Sequence, residues 1–169
     1  RIQVSARTTA DRGRSNKDLP VLIYMYDSKY NDFKHFLDVM KVVGPHGCTP
    51  EGLCFDAMMR RNILMPSSTE CTSYMLNISD GAPGMVGWCD RVAVGYTRKM
   101  VQKMRNDLSV NVLSFFVEDS RQVKNMGNQP NADFREMYGK DARLVASDNV
   151  TAIARELNNK FLSEGKYTV

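Results

Sequence analysis

Apolar and polar residues alternate from Ile2 to Thr9, with Ile2, Val4 and Ala6 on one side and Gln3, Ser5 and Arg7 on the other. That period of two predicts a half-buried strand. A polar stretch, Asp11 to Asp18, separates it from a second strand, Val21 to Tyr26, opened by Leu19-Pro20. The two read as an antiparallel hairpin with a long polar tip. Phe33, Phe36, Leu37 and Met40 then recur at helical spacing and predict a short helix over 33–40. In the run from Gly44 to Met59, Thr49 is a natural N-cap, Pro50 suits the first helical position, and Glu51 suits the positive end of the helix dipole. A helix is predicted from Pro50 to about Asn62. After the loop Pro66 to Glu70, Tyr74 to Ile78 reads as a strand that stops at Ser79-Asp80-Gly81-Ala82-Pro83, a carboxylate followed by turn residues.

Ala93, Tyr96, Met100, Met104 and Leu108 place a helix over about Trp88 to Asn106. Val110 to Val117 is almost continuously apolar, the pattern of a parallel strand covered on both faces. Glu118 to Asn131 is polar, contains Gly127 and Pro130, and reads as a loop. Phe134 to Tyr138 reads as one helical turn and Ala142 to Ala146 as a short strand. Val150 to Leu162 is a final helix with Val150, Ile153, Leu157 and Phe161 inward, capped by Asp148 or Asn149. Strands alternating with helices after a hairpin predict an α/β fold: a doubly wound, mostly parallel sheet with one antiparallel edge strand and helices on both faces.

Composition narrows this further. A chain of 169 residues, 43% hydrophobic, builds one two-sided core, so residues 1–169 read as a single domain. The formal charge of +4 is scattered apart from Arg60-Arg61 and Arg98-Lys99, which is not the basic, aromatic-lined face that binds nucleic acid. The longest apolar run, Leu19 to Met25, falls far short of the roughly 20 residues of a membrane span, so no membrane partner is expected. Cys48, Cys54, Cys71 and Cys89 have no CxxC spacing, and only His35 and His46 stand beside them, so zinc is not indicated. They read as reduced thiols of a cytoplasmic protein. The chain starts at Arg1, without an initiator Met or a signal-peptide core, and is expected to begin inside a longer polypeptide.

The chemistry sits in two loops. In open α/β sheets ligands bind beyond the carboxyl ends of the strands. Thr49, at a helix start, and Asp80, at a strand end, both belong to that edge. A hydroxyl and a carboxylate are hard oxygen donors suited to Mg²⁺, which keeps several waters. Each also has a plain reading, Thr49 as a cap and Ser79-Asp80-Gly81 as a turn. Together, Gly47-Cys48-Thr49-Pro50 and Asp80-Gly81 resemble the second and third motifs of the metal-ion-dependent adhesion site of the von Willebrand factor A family. The segments Thr49-Pro50-Glu51-Gly52-Leu53 and Ile78-Ser79-Asp80-Gly81-Ala82-Pro83 look like those of the von Willebrand A subunit of aerobic cobaltochelatase and its bacterial and phage-encoded relatives. For a phage-encoded chain the compartment is the host cytoplasm.

The resemblance implies a domain with its first strand and helix missing. The family's first motif, Asp-x-Ser-x-Ser, occurs nowhere in residues 1–169. Its strand lies in the family between the one matched by Ile2 to Thr9 and the one matched by Tyr74 to Ile78. A gap of about 9.6 Å, two inter-strand spacings, is therefore expected there, to be filled by an upstream segment or a second chain. The implied function is metal-assisted protein binding, with a divalent cation at Thr49 and Asp80, weakly held by this chain alone, and a ring-forming AAA+ ATPase as partner in a chelatase-like complex. On its own the chain reads as non-catalytic. Two alternatives stand: a structural component of a viral or cellular assembly with a degenerate metal site, and a hydrolase working either through Cys48 or through a carboxylate such as Asp80 with Mg²⁺. Met58, Met59, Met85 and Met100 read as core filler or as an adaptable partner surface, and Trp88 as a core residue or a partner anchor.

Overall fold

A computed structural model describes residues 3–10, 19–42, 49–85, 87–126 and 130–164. The elements are β1 (Gln3–Ala10), β2 (Leu19–Asp27), α1 (Phe33–Val42), α2 (Glu51–Arg60), β3 (Tyr74–Ser79), α3 (Asp90–Asp107), β4 (Asn111–Glu118), α4 (Ser120–Asn125), α5 (Ala132–Tyr138), a 3₁₀ turn (Gly139–Asp141), β5 (Ala142–Ala146) and α6 (Val150–Glu164). The chain is a mixed α/β protein.

The nearly unbroken apolar run predicted over 110–117 becomes the centre of the sheet, because such a run needs cover on both faces. β4 lies between β3 and β5 and is parallel to both. Residues in register share a face, so Met75 aligns with Val112, and Phe116 with Leu144. This face carries the main core, formed with Phe55 of α2, Val94, Val101 and Met104 of α3, and Phe134, Met137 and Tyr138 of α5. On the opposite face Leu113, Phe115 and Val145 pack against Ala152, Ile153 and Leu157 of α6. Leu76 and Ile78 belong to that second face by register, yet they are 41% and 51% exposed. Among the described residues the cover given by α6 stops short of β3.

β1 and β2 pair antiparallel from Gln3 opposite Asp27 to Ala10 opposite Leu19, as the hairpin reading requires. Its polar tip, 11–18, lies outside the described residues. Among those residues β1 and β2 make their own two-stranded sheet, separate from β3–β4–β5. β2 rests on α1 and α2.

Two expectations are corrected, for α4 and Thr49, and the core-filler reading holds for two of the methionines. The segment after β4 is not all loop: α4 forms because Asp119 accepts a hydrogen bond from the Arg121 amide at 2.8 Å and caps it. The cap carries this short polar helix, so no apolar period announced it. Met85 and Met100 are buried and unavailable as partner surface, whereas Met58 and Met59 pack half-buried at the core margin. Thr49 is not a cap, for the reason given below. The apolar spacing of α1 does form a helix, but no residue in it is buried; Phe33, Leu37 and Met40 are exposed, and Phe36 meets Tyr26 at 5.6 Å between ring centroids. Among the described residues no helix is long and apolar enough to cross a membrane.

Candidate functional site

α2 begins with the backbone bond from the Cys54 amide to the Pro50 carbonyl, 3.0 Å, and Pro50 occupies the cap position without side-chain help. Thr49 is thereby released from capping. Its hydroxyl donates instead across the molecule to the carbonyl of Ala82, at 2.6 Å, and its own carbonyl accepts from the Gly84 amide at 3.1 Å. Thr49 and Pro83 form an isolated parallel bridge. The two loops singled out from the sequence are therefore joined directly.

Asp80 follows β3 at its carboxyl end and is exposed. Its Oδ1 accepts only a long bond from the Ala82 amide, 3.5 Å, and the carboxylate keeps most of its acceptor capacity. Gly81 has φ +81°, and a β-carbon there would fall 1.7 Å from Cε2 of Phe116. Only glycine fits, because the chain must turn over the buried Phe116 ring. The Ser79 hydroxyl, buried at the strand end, accepts the Gly81 amide at 3.1 Å and shapes the same turn.

The donor set can be tested chemically. A hydroxyl that ligates a cation does so through a lone pair and needs another acceptor for its proton. The Ala82 carbonyl takes the Thr49 proton and leaves the oxygen's lone pairs available, and Asp80 adds a carboxylate from the same edge. Hard oxygens of this kind suit Mg²⁺ or Mn²⁺. They supply two protein ligands, with water for the remainder. No cluster of three or more His, Cys, Asp or Glu suited to an ion occurs among the described residues.

Behind the loops lies a network that the sequence reading missed. Glu51, the first residue of α2, is fully buried and accepts a short hydrogen bond from the Tyr138 hydroxyl. The phenol oxygen in turn accepts from Asn77 Nδ2 at 3.0 Å. Asn77 carried the available signal: it is a lone amide inside the strand Tyr74-Met75-Leu76-Asn77-Ile78, where a buried polar group needs a partner.

The other singled-out residues fall elsewhere. His35 is exposed on α1; His46 and Cys48 lie outside the described residues. Trp88 is half-buried, edge-on to Tyr96 at 6.0 Å, and its backbone pairs with Met85. Cys54 is buried, while Cys71 and Cys89 are exposed free thiols. The Asp90 carboxylate accepts from the Cys89 thiol at 3.2 Å and pushes its pKa up, so the thiolate form is disfavoured. A cavity of 370 Å³ lined by Arg105, Ser109, Asn111, Lys140, Asp141 and Lys160 sits at the amino end of β4, opposite Asp80. There the Arg105 guanidinium already binds Asp141 at 2.9 Å and the Tyr138 carbonyl at 2.8 Å.

No protein-family model, curated protein or solved structure matches the chain. The fold defines a mixed α/β protein with a three-stranded parallel sheet. Its candidate site is the Thr49–Asp80 edge, at the end of the sheet where ligands of such folds bind.

Proposed function

We propose that the chain is a metal-assisted protein-binding module of the von Willebrand factor A type, closest to the cobaltochelatase subunit. In this reading a divalent cation at Thr49 and Asp80 offers an open coordination position to an acidic side chain of a partner, a ring-forming AAA+ ATPase. The single observation that carries the reading is the direct bond between the loops, Thr49 Oγ1 to the Ala82 carbonyl. It brings a hydroxyl oxygen beside the segment that starts at Asp80, with neither loop closed by a cap.

Two features of the fold support the module. The hairpin β1–β2 and the sheet β3–β4–β5 are separate among the described residues. A missing first strand would leave such a separation, and in this reading a segment upstream or a second chain supplies that strand and its Asp-x-Ser-x-Ser ligands. Leu76 and Ile78 are the apolar residues that the accompanying helix would cover. The exposed side of α1, with Phe33, Leu37 and Met40, suits contact with protein.

Calorimetric titration with Mg²⁺ or Mn²⁺ tests the proposal on two proteins, residues 1–169 and the same chain extended upstream through an Asp-x-Ser-x-Ser segment. Two protein oxygens gain little over a hydrated Mg²⁺, so the short chain should bind weakly and the extended one tightly. Asp80→Ala should abolish the difference. Equally weak binding by both chains removes the metal reading and leaves the structural-component alternative.

A further inference from the structure

We infer that Tyr138 is a positioning residue for the Thr49–Asp80 edge, fixing from inside the core the distance between the loops that meet there. The phenol oxygen acts through the helix and the strand behind the loops. It binds the two elements that carry them: Glu51 stands two residues after Thr49 in the chain, and Asn77 three residues before Asp80.

The donor and acceptor logic leaves one arrangement. Asn77 Nδ2 can only donate, so the phenol oxygen accepts from it at 3.0 Å and the single phenolic proton goes to Glu51 Oε2. A phenylalanine ring would fill the same space and hold neither limb. All three side chains are buried, with Glu51 and Tyr138 fully inaccessible and Asn77 3% exposed, so water does not readily replace a lost bond. The ring itself is anchored, packed at a 47° tilt against Phe134 at 4.6 Å between centroids, with the Tyr138 carbonyl held by Arg105 at 2.8 Å.

The edge thus has an outer tie, Thr49 to Ala82 and Gly84, and an inner tie, Glu51 to Tyr138 to Asn77. The outer tie is solvent-accessible and weak alone; the inner one keeps the two limbs in register. The importance of this for ligand binding rests on the reading of the edge as a cation site, but the coupling does not.

Amide hydrogen exchange of the metal-free chain tests it. The Gly84 amide, bonded to the Thr49 carbonyl, reports the outer tie, and the amides of Val101 and Met104 in α3 report global opening. In Tyr138→Phe, Gly84 exchange should accelerate about three- to tenfold beyond any change at Val101 and Met104, the factor that one buried hydrogen bond corresponds to. Glu51→Gln, which keeps an acceptor for the phenol, should restore most of the protection that Glu51→Ala loses. Equal acceleration at Gly84 and in α3 would reduce Tyr138 to a general structural role and overturn the inference. If Tyr138→Phe does not fold, Asn77→Ala cuts one limb alone, and unchanged Gly84 protection in that variant is equally fatal. Magnesium calorimetry is independent, so failure of the cation reading leaves this coupling standing and failure of the coupling leaves the cation reading open to its own test.

Discussion

Gly52 and Thr97 set the separation of α2 and α3: a β-carbon on Gly52 would lie 2.7 Å from Thr97 Oγ1 and 2.9 Å from its Cα. Alanine normally favours a helix over glycine by about 1 kcal/mol. Here two of the three nearest atoms are backbone, which cannot rotate away, and overpacking costs about 1–3 kcal/mol. Gly52→Ala should therefore lower stability by up to about 2 kcal/mol in urea denaturation. A midpoint at or above that of the parent would mean that the helices part freely.

Thr97 itself is fully buried, and its hydroxyl has no hydrogen-bond partner among the described residues. Burying such a group without a partner is unfavourable, and valine has nearly the same shape. Thr97→Val is expected to raise stability by about 1 kcal/mol. A loss of stability would reveal a bound water on that hydroxyl.

The cluster Asp56–Arg60–Tyr96 makes a pH-dependent contribution of known sign. Partial burial pushes the Asp56 carboxyl up, but the hydrogen bonds from Arg60 and Tyr96 outweigh it and hold the pKa below the ordinary value. Stability from Asp56 is present above its unfolded pKa near 4 and is lost as pH falls through the lower folded value. For Tyr96, burial first and then the Asp56 carboxylate raise the phenol. Its contribution is complete below pH about 10 and is lost as pH rises through the higher folded value. In a spectrophotometric titration Tyr96→Phe should remove a late-ionising tyrosine, and Asp56→Asn should move that tyrosine earlier. An unchanged curve in both variants would show that the bond at 3.1 Å does not persist in solution.

Asp90 should control the reactivity of Cys89. Its backbone has φ +51°, a region that asparagine also adopts readily, so Asp90→Asn removes the charge without unseating the turn. With the carboxylate gone the thiol pKa falls toward its ordinary range, and alkylation of Cys89 at pH 8 should accelerate about two- to fivefold. Cys71, also exposed, serves as the internal control. Equal rates in both proteins would exclude the Asp90 contact as the cause.

Elements whose identity depends on burial were readable from the chain. β4 declares itself because its apolar residues must be covered twice, and α3 because Ala93, Met100 and Met104 recur at helical spacing and are all buried. The α1 pattern is equally clear, yet periodicity reports an apolar side and not whether anything covers it. α4 was illegible because a cap holds it and no apolar side exists. For the candidate site, sequence order located Thr49 and Asp80 at strand and helix ends. It could not convey that Pro50 would free the Thr49 hydroxyl to reach Ala82, a contact 33 residues away. Locally Glu51 shows only its fit to the helix dipole, because nothing near it in the chain reveals Tyr138, 87 residues away.

The separation of the hairpin from the parallel sheet bears on how the molecule melts. The segment 19–42 holds α1 on β2 and is attached to the rest through the contact of β2 with α2, while the three-stranded sheet owns both apolar clusters. Heat has no reason to dissolve the two together, since no common hydrogen-bond ladder among the described residues transmits the loss of one to the other. Scanning calorimetry of this chain should give a calorimetric enthalpy larger than the van't Hoff value, with the hairpin and α1 yielding at the lower temperature. A single denaturation midpoint would average two cooperative units, and a ligand that bridged them would be recognised by merging their transitions into one.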